Sequence, residues 1–380
     1  MGLFDRFRNN TTINNYEMMT DQGSGYYSWN GSLYQSDIIR AAIRPKVRAI
    51  GKAIAKHVRN DGKSLQINPE PYMRFLLEEP NPYMTGQMLQ EKLATQLELN
   101  NNAFALIHRD ENDYPTAIYP IITTKCDLLR NKAGELLMRF YIKGKPYIFK
   151  YSDVIHLRKD YNESDIFGES PAAALTPLME IVNTTDQGIV KAIKNSNMIR
   201  WLLKYKSVLR PEDLEKDTKR FVSSFLNTET SEVAGAAATD SKVDAIQIEP
   251  KDYVPNAIQM DRTTQRILAF FNTNMKIVQA NYTEDEWISY YETTIEPDIT
   301  QMSNVYTRLL FSRRERGFGN KIIFESSSLT FASMKTKLGL AKFVELGIFN
   351  PNEVRQIMNY VPREGGDEYI RRLDTRPTSE

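Results

Sequence analysis

The side chains here that could do covalent or metal chemistry are three histidines, one cysteine and a few acidic and glycine clusters. His57, His108 and His156 stand apart, none with a second histidine or a cysteine at ligand spacing, and no H-E-x-x-H run occurs. Each reads as a packed or strand-borne histidine. Cys126 is alone, so it can form neither an intrachain disulfide nor a thiolate cluster, and it suits a reducing compartment. There is no G-x-x-x-x-G-K-[ST] loop for phosphate and no G-x-S-x-G elbow for a nucleophilic serine. Gly317-Phe318-Gly319-Asn320 is half of a dinucleotide fingerprint and follows a helical pattern, which favours a helix-ending turn. Glu284-Asp285-Glu286 could be a metal site. However, with Thr283 it matches a capping box, and acidic residues suit a helix N-terminus. The enzyme class is left without a mechanism.

The elements that would position these groups follow from hydrophobic spacing. Ser36 sits at an N-cap, and Ile39, Ile43, Val47, Ile50, Ile54 and His57 recur at three and four, predicting a helix over 36–58 with a kink or a later start at Pro45. A strand is expected at 65–67, and a short helix ends at Pro80 and Pro82. Thr85 caps a helix carrying Leu89, Leu93 and Leu97. From 103 to 158 the period shortens to two, with turn clusters at 131–134 and 143–145, as in a mostly antiparallel sheet with segregated helices, an α+β unit. Ser170 and Pro171 open a helix to about 194. A strand, a charged helix from Pro211 and a second strand at 245–248 then form an insert of about fifty residues that looks like a projection, and a helix over 255–278 follows it. The longest helix starts at Thr283, with Ile288, Tyr291, Ile295, Ile299, Met302, Tyr306 and Leu309 as its buried stripe and Pro297 as its kink. Arg313, Arg314 and Arg316 fall at its C-terminal end, where cations complement the dipole. A strand at 321–324 and helices at 333–346 and 352–358 close the chain.

The 380 residues carry 49 Lys+Arg against 48 Asp+Glu, for a net charge of +1. A globally basic nucleic-acid binder is thereby excluded, so any DNA contact needs a local patch or a surface repeated by oligomerisation. Hydrophobic residues make up 41% and charged residues 26%, the balance of an ordinary folded chain. No apolar run is long enough for a secretory signal or a membrane span, so no membrane contact is expected. Gly2 invites myristoylation, but Arg6 stands where Ser or Thr is wanted.

Several stretches, in order, resemble tailed-phage portal proteins of the HK97 type. They are Met1-Gly2-Leu3-Phe4-Asp5-Arg6-Phe7, Glu79-Pro80-Asn81-Pro82-Tyr83-Met84-Thr85 and Asn102-Ala103-Phe104-Ala105-Leu106-Ile107, the last preceded by Asn101 in place of a usual Gly. Val154-Ile155-His156-Leu157-Arg158 with Gly168-Glu169-Ser170-Pro171, and Leu346-Gly347 through Asn352-Glu353-Val354-Arg355 with Gly365-Gly366-Asp367, complete the series. Met275-Lys276-Ile277-Val278-Gln279 departs from the "fgVP" turn frequent in that family.

The resemblance implies an α+β portal fold: an α/β wing, a two-helix stem, a small α/β clip inserted between the stem helices, and a helical crown. It divides the chain into a flexible N-terminal arm (1–35), wing (36–168), first stem helix (169–197), clip (198–252), second stem helix (253–278), tunnel loop with long helix and strand (279–328), and crown with tail (329–380). It further implies a ring, typically of twelve subunits, at one capsid vertex, assembled in the host cytoplasm and part of the virion. Double-stranded DNA would be packaged and ejected through that ring, with a separate terminase large subunit as motor, a head–tail adaptor, and major capsid or scaffolding protein as partners. No catalytic activity, cofactor or metal is implied. The alternative is a DNA-binding regulatory or scaffold protein without a channel, although no helix dense in Arg, Lys, Asn and Gln stands out.

Within that reading, Lys191 and Lys194 on the first stem helix and Arg262, Arg266 and Lys276 on the second are candidates for the channel, where phosphate attraction is sequence-blind. The loop 272–281 adds Asn272, Asn274, Gln279 and Asn281, uncharged groups suited to sliding. The alternatives are a solvated helix face, pairing with a neighbouring subunit, or a plain connector. Arg200, Lys204, Lys206 and Arg210 on the projection are candidates for motor or adaptor docking, against a strand edge kept soluble by cations.

Overall fold

The computed structural model describes residues 16–19, 26–28, 33–60, 65–161, 164–195, 201–205, 210–221, 243–247, 257–325, 342–357 and 361–370. The chain divides into two units, Met1–Thr176 with Thr264–Glu380, and Pro177–Thr263.

The first unit opens with two short strands, β1 (Tyr16–Met18) and β2 (Tyr26–Tyr27), and then helix α1 (Asp37–Lys52). Ser36 caps α1 through its side chain, which accepts from the Ile39 amide, and Lys52 suits its last turn. The helix continues unbroken through Pro45 and stops at Ala53, five residues before the expected end. Residues 54–60 are instead strand β3 (Ile54–Asn60), flanked by β4 (Leu65–Ile67) and β13 (Asn320–Glu325), both antiparallel. A central strand between two partners outweighs a helical spacing that continues by chance, and Ile54 is exposed rather than part of the stripe.

Helices α2 (Pro71–Glu78) and α3 (Gly86–Asn100) follow, the second capped by Thr85 and burying Leu89, Leu93 and Leu97. Strands β5 (Asn102–Arg109), β6 (Pro115–Ile121) and β10 (Val154–Arg158) form one antiparallel sheet in the order β10-β5-β6. Strands β7 (Lys125–Asn131), β8 (Leu136–Ile142) and β9 (Lys145–Lys150) form another, with β1 and β2 both paired to β7. Phe104, Cys126, Met138 and Phe140 lie in the core between these strands.

Beyond α6 (Ala257–Phe270) and the single turn α7 (Met275–Val278) comes the long helix. It is built as α8 (Glu284–Tyr290), a π-turn (Tyr291–Ile295) and α9 (Glu296–Leu310). The capping box of Thr283 and Glu286 is present on both sides. The π-turn adds residues to one turn and shifts the phase of the stripe. Ile295, Ile299, Met302 and Tyr306 are buried as expected, but Tyr290 replaces Tyr291, Leu310 replaces Leu309, and Ile288 is 46% exposed. Pro297 follows closely on the π-turn, so the site of the expected kink falls where the helix already departs from regular α geometry. Arg313, Arg314 and Arg316 do not end this helix. They belong to a separate short helix, α10 (Arg313–Gly317), with its own capping box of Ser312 and Glu315.

The second unit holds most of α4 (Ala172–Asn195), the antiparallel pair β11 (Trp201–Tyr205) and β12 (Val243–Gln247), α5 (Pro211–Phe221) and the start of α6. The last helix described is α11 (Pro351–Ile357). The expected helix over 333–346 lies mostly outside the described residues.

Candidate DNA-channel and docking residues

Two of the stretches that carried the resemblance, at 101–107 and 154–171, meet in the structure, whereas the stretch at 1–7 lies outside the described residues. Asn101 ends α3 in the left-handed conformation (φ 55°), a place glycine commonly fills and asparagine tolerates, so the Gly-to-Asn departure is neutral for the backbone. Its side-chain amide donates to Glu169 O (2.8 Å) and Asp160 Oδ2 (3.1 Å). Asn102 donates to Gly168 O (2.7 Å) and Asn100 O (3.1 Å), while its Oδ1 accepts from Gly168 N (2.9 Å) and faces His156 Nε2 at 3.1 Å. Because that oxygen can only accept, His156 carries its proton on Nε2, and Nδ1 accepts from Tyr151 Oη (3.4 Å). The ring stacks on Phe104 at 4.6 Å. Burial, helped by the charges of Arg158 and Arg308, lowers the His156 pKa to about 3, so the ring is neutral at physiological pH. A Cβ at Gly168 would lie 2.3 Å from both Asn101 O and Lys159 O, so only glycine fits there. Near the C-terminus, Asn352 likewise donates to Arg363 O and Asp367 Oδ1, both at 2.9 Å. These motifs are structural joints.

The other chemistry-bearing groups are joints too. His57 on β3 and Arg59 both donate to Asn320 Oδ1 at 2.8 Å. Gly319 takes φ 83°, and its backbone approaches Asn60 O too closely for any side chain, so the half-fingerprint is a turn into β13. His108 on β5 contacts Thr116 Oγ1 at 2.8 Å.

The channel candidates divide between the two units. Lys191 is exposed on α4. Lys194 lies on the same helix, its side chain outside the described residues. Arg262 and Arg266 are exposed on α6, one turn apart. The helix carrying them ends at Phe270, not 278, because Asn272 turns left-handed (φ 50°) and breaks it. Residues 272–281 are therefore a connector with one helical turn. Phe271 and Ile277 are buried at its base, and Thr294 on the π-turn donates to Asn272 O (3.4 Å). Asn274 is spent as the N-cap of α7, accepting from the Ile277 amide. Asn272, Gln279 and Asn281 are exposed. Lys276 is exposed but paired with Glu286 at 2.5 Å, so it offers phosphate a partly neutralised charge.

Of the docking candidates, Lys204 is exposed on β11, in register with Asp244, and Arg210 is exposed just before α5. Arg200 and Lys206 lie outside the described residues.

A buried charge cluster beneath the connector was not anticipated. Lys46 on α1 contacts Glu98 on α3 and Asp298 on α9, each at 2.8 Å, and Lys159 contacts Glu98 at 2.8 Å. Burial opposes the Lys46 charge, but the two carboxylates outweigh it and raise its pKa. Glu98 is likewise held ionised against burial by Lys159 and Lys46. Burial of Asp298 outweighs the pull of Lys46 and raises its pKa. The signal was a lysine inside the apolar stripe of α1, three residues after Ile43 and four before Ile50.

Described this way, the molecule belongs to a class of mixed helix-and-sheet chains of known structure. A chain of the neck of an empty gene transfer agent particle matches it with a TM-score of 0.69 at 15% identity, over 90% of this chain and 96% of that one. An HK97-family phage portal protein from Corynebacterium diphtheriae gives 0.50 at 11% identity, over 81% and 98%. The phage portal protein family model matches residues 37–359, and the chain belongs to that family. The portal protein of Enterobacteria phage HK97 is 21% identical over 84% of this chain and 77% of its own length. The probable portal protein of Lactococcus phage p2 is 27% identical over 64% of this chain, and the match spans 63% of that relative's length. Among the described residues, no helix is long and apolar enough to cross a membrane.

Proposed function

We propose that this chain is a structural, non-enzymatic portal subunit that assembles into a ring at the capsid vertex. The family match over 37–359 is the observation that carries the reading. A similar fold in the neck of a native gene transfer agent particle computed with C12 symmetry favours twelve subunits. In this reading the α4 and α6 helices are the stem, the β11–α5–β12 insert is the clip, and the connector at 272–281 faces the channel. DNA moves through the ring, driven by a separate terminase. Near-neutral subunits suit that task, since a conduit must not trap its polyanion. Lys191, Arg262 and Arg266, repeated around a ring, supply belts of positive charge that attract phosphate without reading sequence. The clip, with Lys204 and Arg210, docks terminase during packaging and the head–tail adaptor afterwards. Capsid or scaffolding protein surrounds the ring.

The test is DNA content per head in particles carrying Arg262→Glu with Arg266→Glu. Intact rings with heads depleted of DNA are expected. Normal filling would remove α6 from the channel.

A further inference from the structure

A groove of about 640 Å³ runs along the outward face of α1 against α3. Arg40, Arg44 and Arg48 line it at four-residue intervals, about 6 Å apart along the axis, with Lys92 opposite. Met88, 55% exposed, contributes to its apolar wall. The one carboxylate in the lining, Glu91, accepts from Gln87 and packs over Gly51. Arg40 lies over the Tyr34 ring. Neither Arg44 nor Arg48 has a carboxylate within ion-pair distance among the described residues.

The long helix presents the opposite pattern. Asp285, Glu292 and Glu296 are exposed along it, without an ion pair among the described residues, and the exposed Ile288 stands between the first two. These two faces cannot meet within one subunit. Lys46 on α1 binds Asp298 on α9, so the buried sides of the two helices face each other. Arg44 and Arg48 are each two residues from Lys46, and Glu296 is two residues from Asp298, about 200° round each helix at 100° per residue. The basic and acidic faces therefore point away from each other, on opposite sides of the α1–α9 pair.

We infer that the acidic face of the long helix in one copy docks into the basic α1–α3 groove of the next, with Ile288 entering beside Met88. This rests on the ring reading above and identifies the surfaces that join its subunits. Two unlike patches on opposite sides make a heterologous contact, which propagates head to tail and closes into a ring when the rotation fits.

The test reads the fraction of full-length protein at ring mass by native light scattering. Arg44→Glu with Arg48→Glu makes both faces acidic, and Glu292→Arg with Glu296→Arg makes both basic. Each variant alone should lose ring more than tenfold. An equal mixture should recover it, because the copies can alternate around the ring, and one chain carrying all four changes should assemble by itself. Rings that survive both reversals would overturn the contact and leave the ring reading standing. Loss without recovery in either the mixture or the four-change chain would also overturn the contact. An unaltered chain that never assembles would overturn both.

Discussion

A neutral imidazole buried between Asn102 and Tyr151 carries a pH cost. The folded pKa of His156 lies near 3, below the 6.5 of an exposed histidine, so between these values the unfolded chain binds a proton that the native chain does not. Stability is whole above pH 6.5 and falls as the pH drops toward 3, with a slope approaching about 1.4 kcal/mol per unit. His156→Gln should flatten that slope between pH 6.5 and 5, where Glu98 adds little because its own loss begins only near 4.5. Urea midpoints at several pH values measure this, and an unchanged slope would mean that His156 protonates in place. Lys46→Ala leaves Glu98 and Asp298 buried with one cation fewer and should cost about 3–5 kcal/mol in urea unfolding. The three histidines were correctly expected to be packed or strand-borne, since none had a partner at ligand spacing. The partners of Lys46 were not legible, because Glu98 and Asp298 are distant in sequence and only the fold brings them within 2.8 Å.

Among the elements, the periodic and capped ones were legible, and failures cluster where long-range pairing or an added residue intervenes. Thr85, Thr283 and Ser36 cap the helices they were expected to cap, because a cap is a local hydrogen bond. The end of α1 was missed because β3 is defined by β13, more than 250 residues away. The π-turn was missed because hydrophobic spacing alone does not reveal a five-residue turn. It makes a sharp prediction in the long helix. Ile295→Ala, at a position with no exposure, should cost about 2–5 kcal/mol. Ile288→Ala, on the same expected stripe, should cost under about 0.5 kcal/mol in the monomer. Equal costs in urea unfolding of the monomer would mean that the phase shift is not real.

At the scale of the whole molecule, the order of the family motifs was the strongest signal in the sequence. It was legible because those residues are joints: Asn102, His156 and Gly168 hold a sheet to the start of α4, and few side chains do that. The candidate channel and docking residues were less legible, since exposed cations need no particular partner to be tolerated. If β11 belongs to the docking projection proposed above, Lys204→Glu should leave assembly unchanged and lower packaging or tail joining. Normal levels of both would return Lys204 to a solvated strand edge.

The reading as a whole depends on assembly. Native mass measurement of the purified full-length chain is the direct test. Twelve copies of a 43.9 kDa subunit give a closed species of about 530 kDa. A single such ring mass, giving way to subunits as salt rises and screens the charged contacts, is the predicted result. A chain that stays at the subunit mass at every concentration and low salt would contradict it.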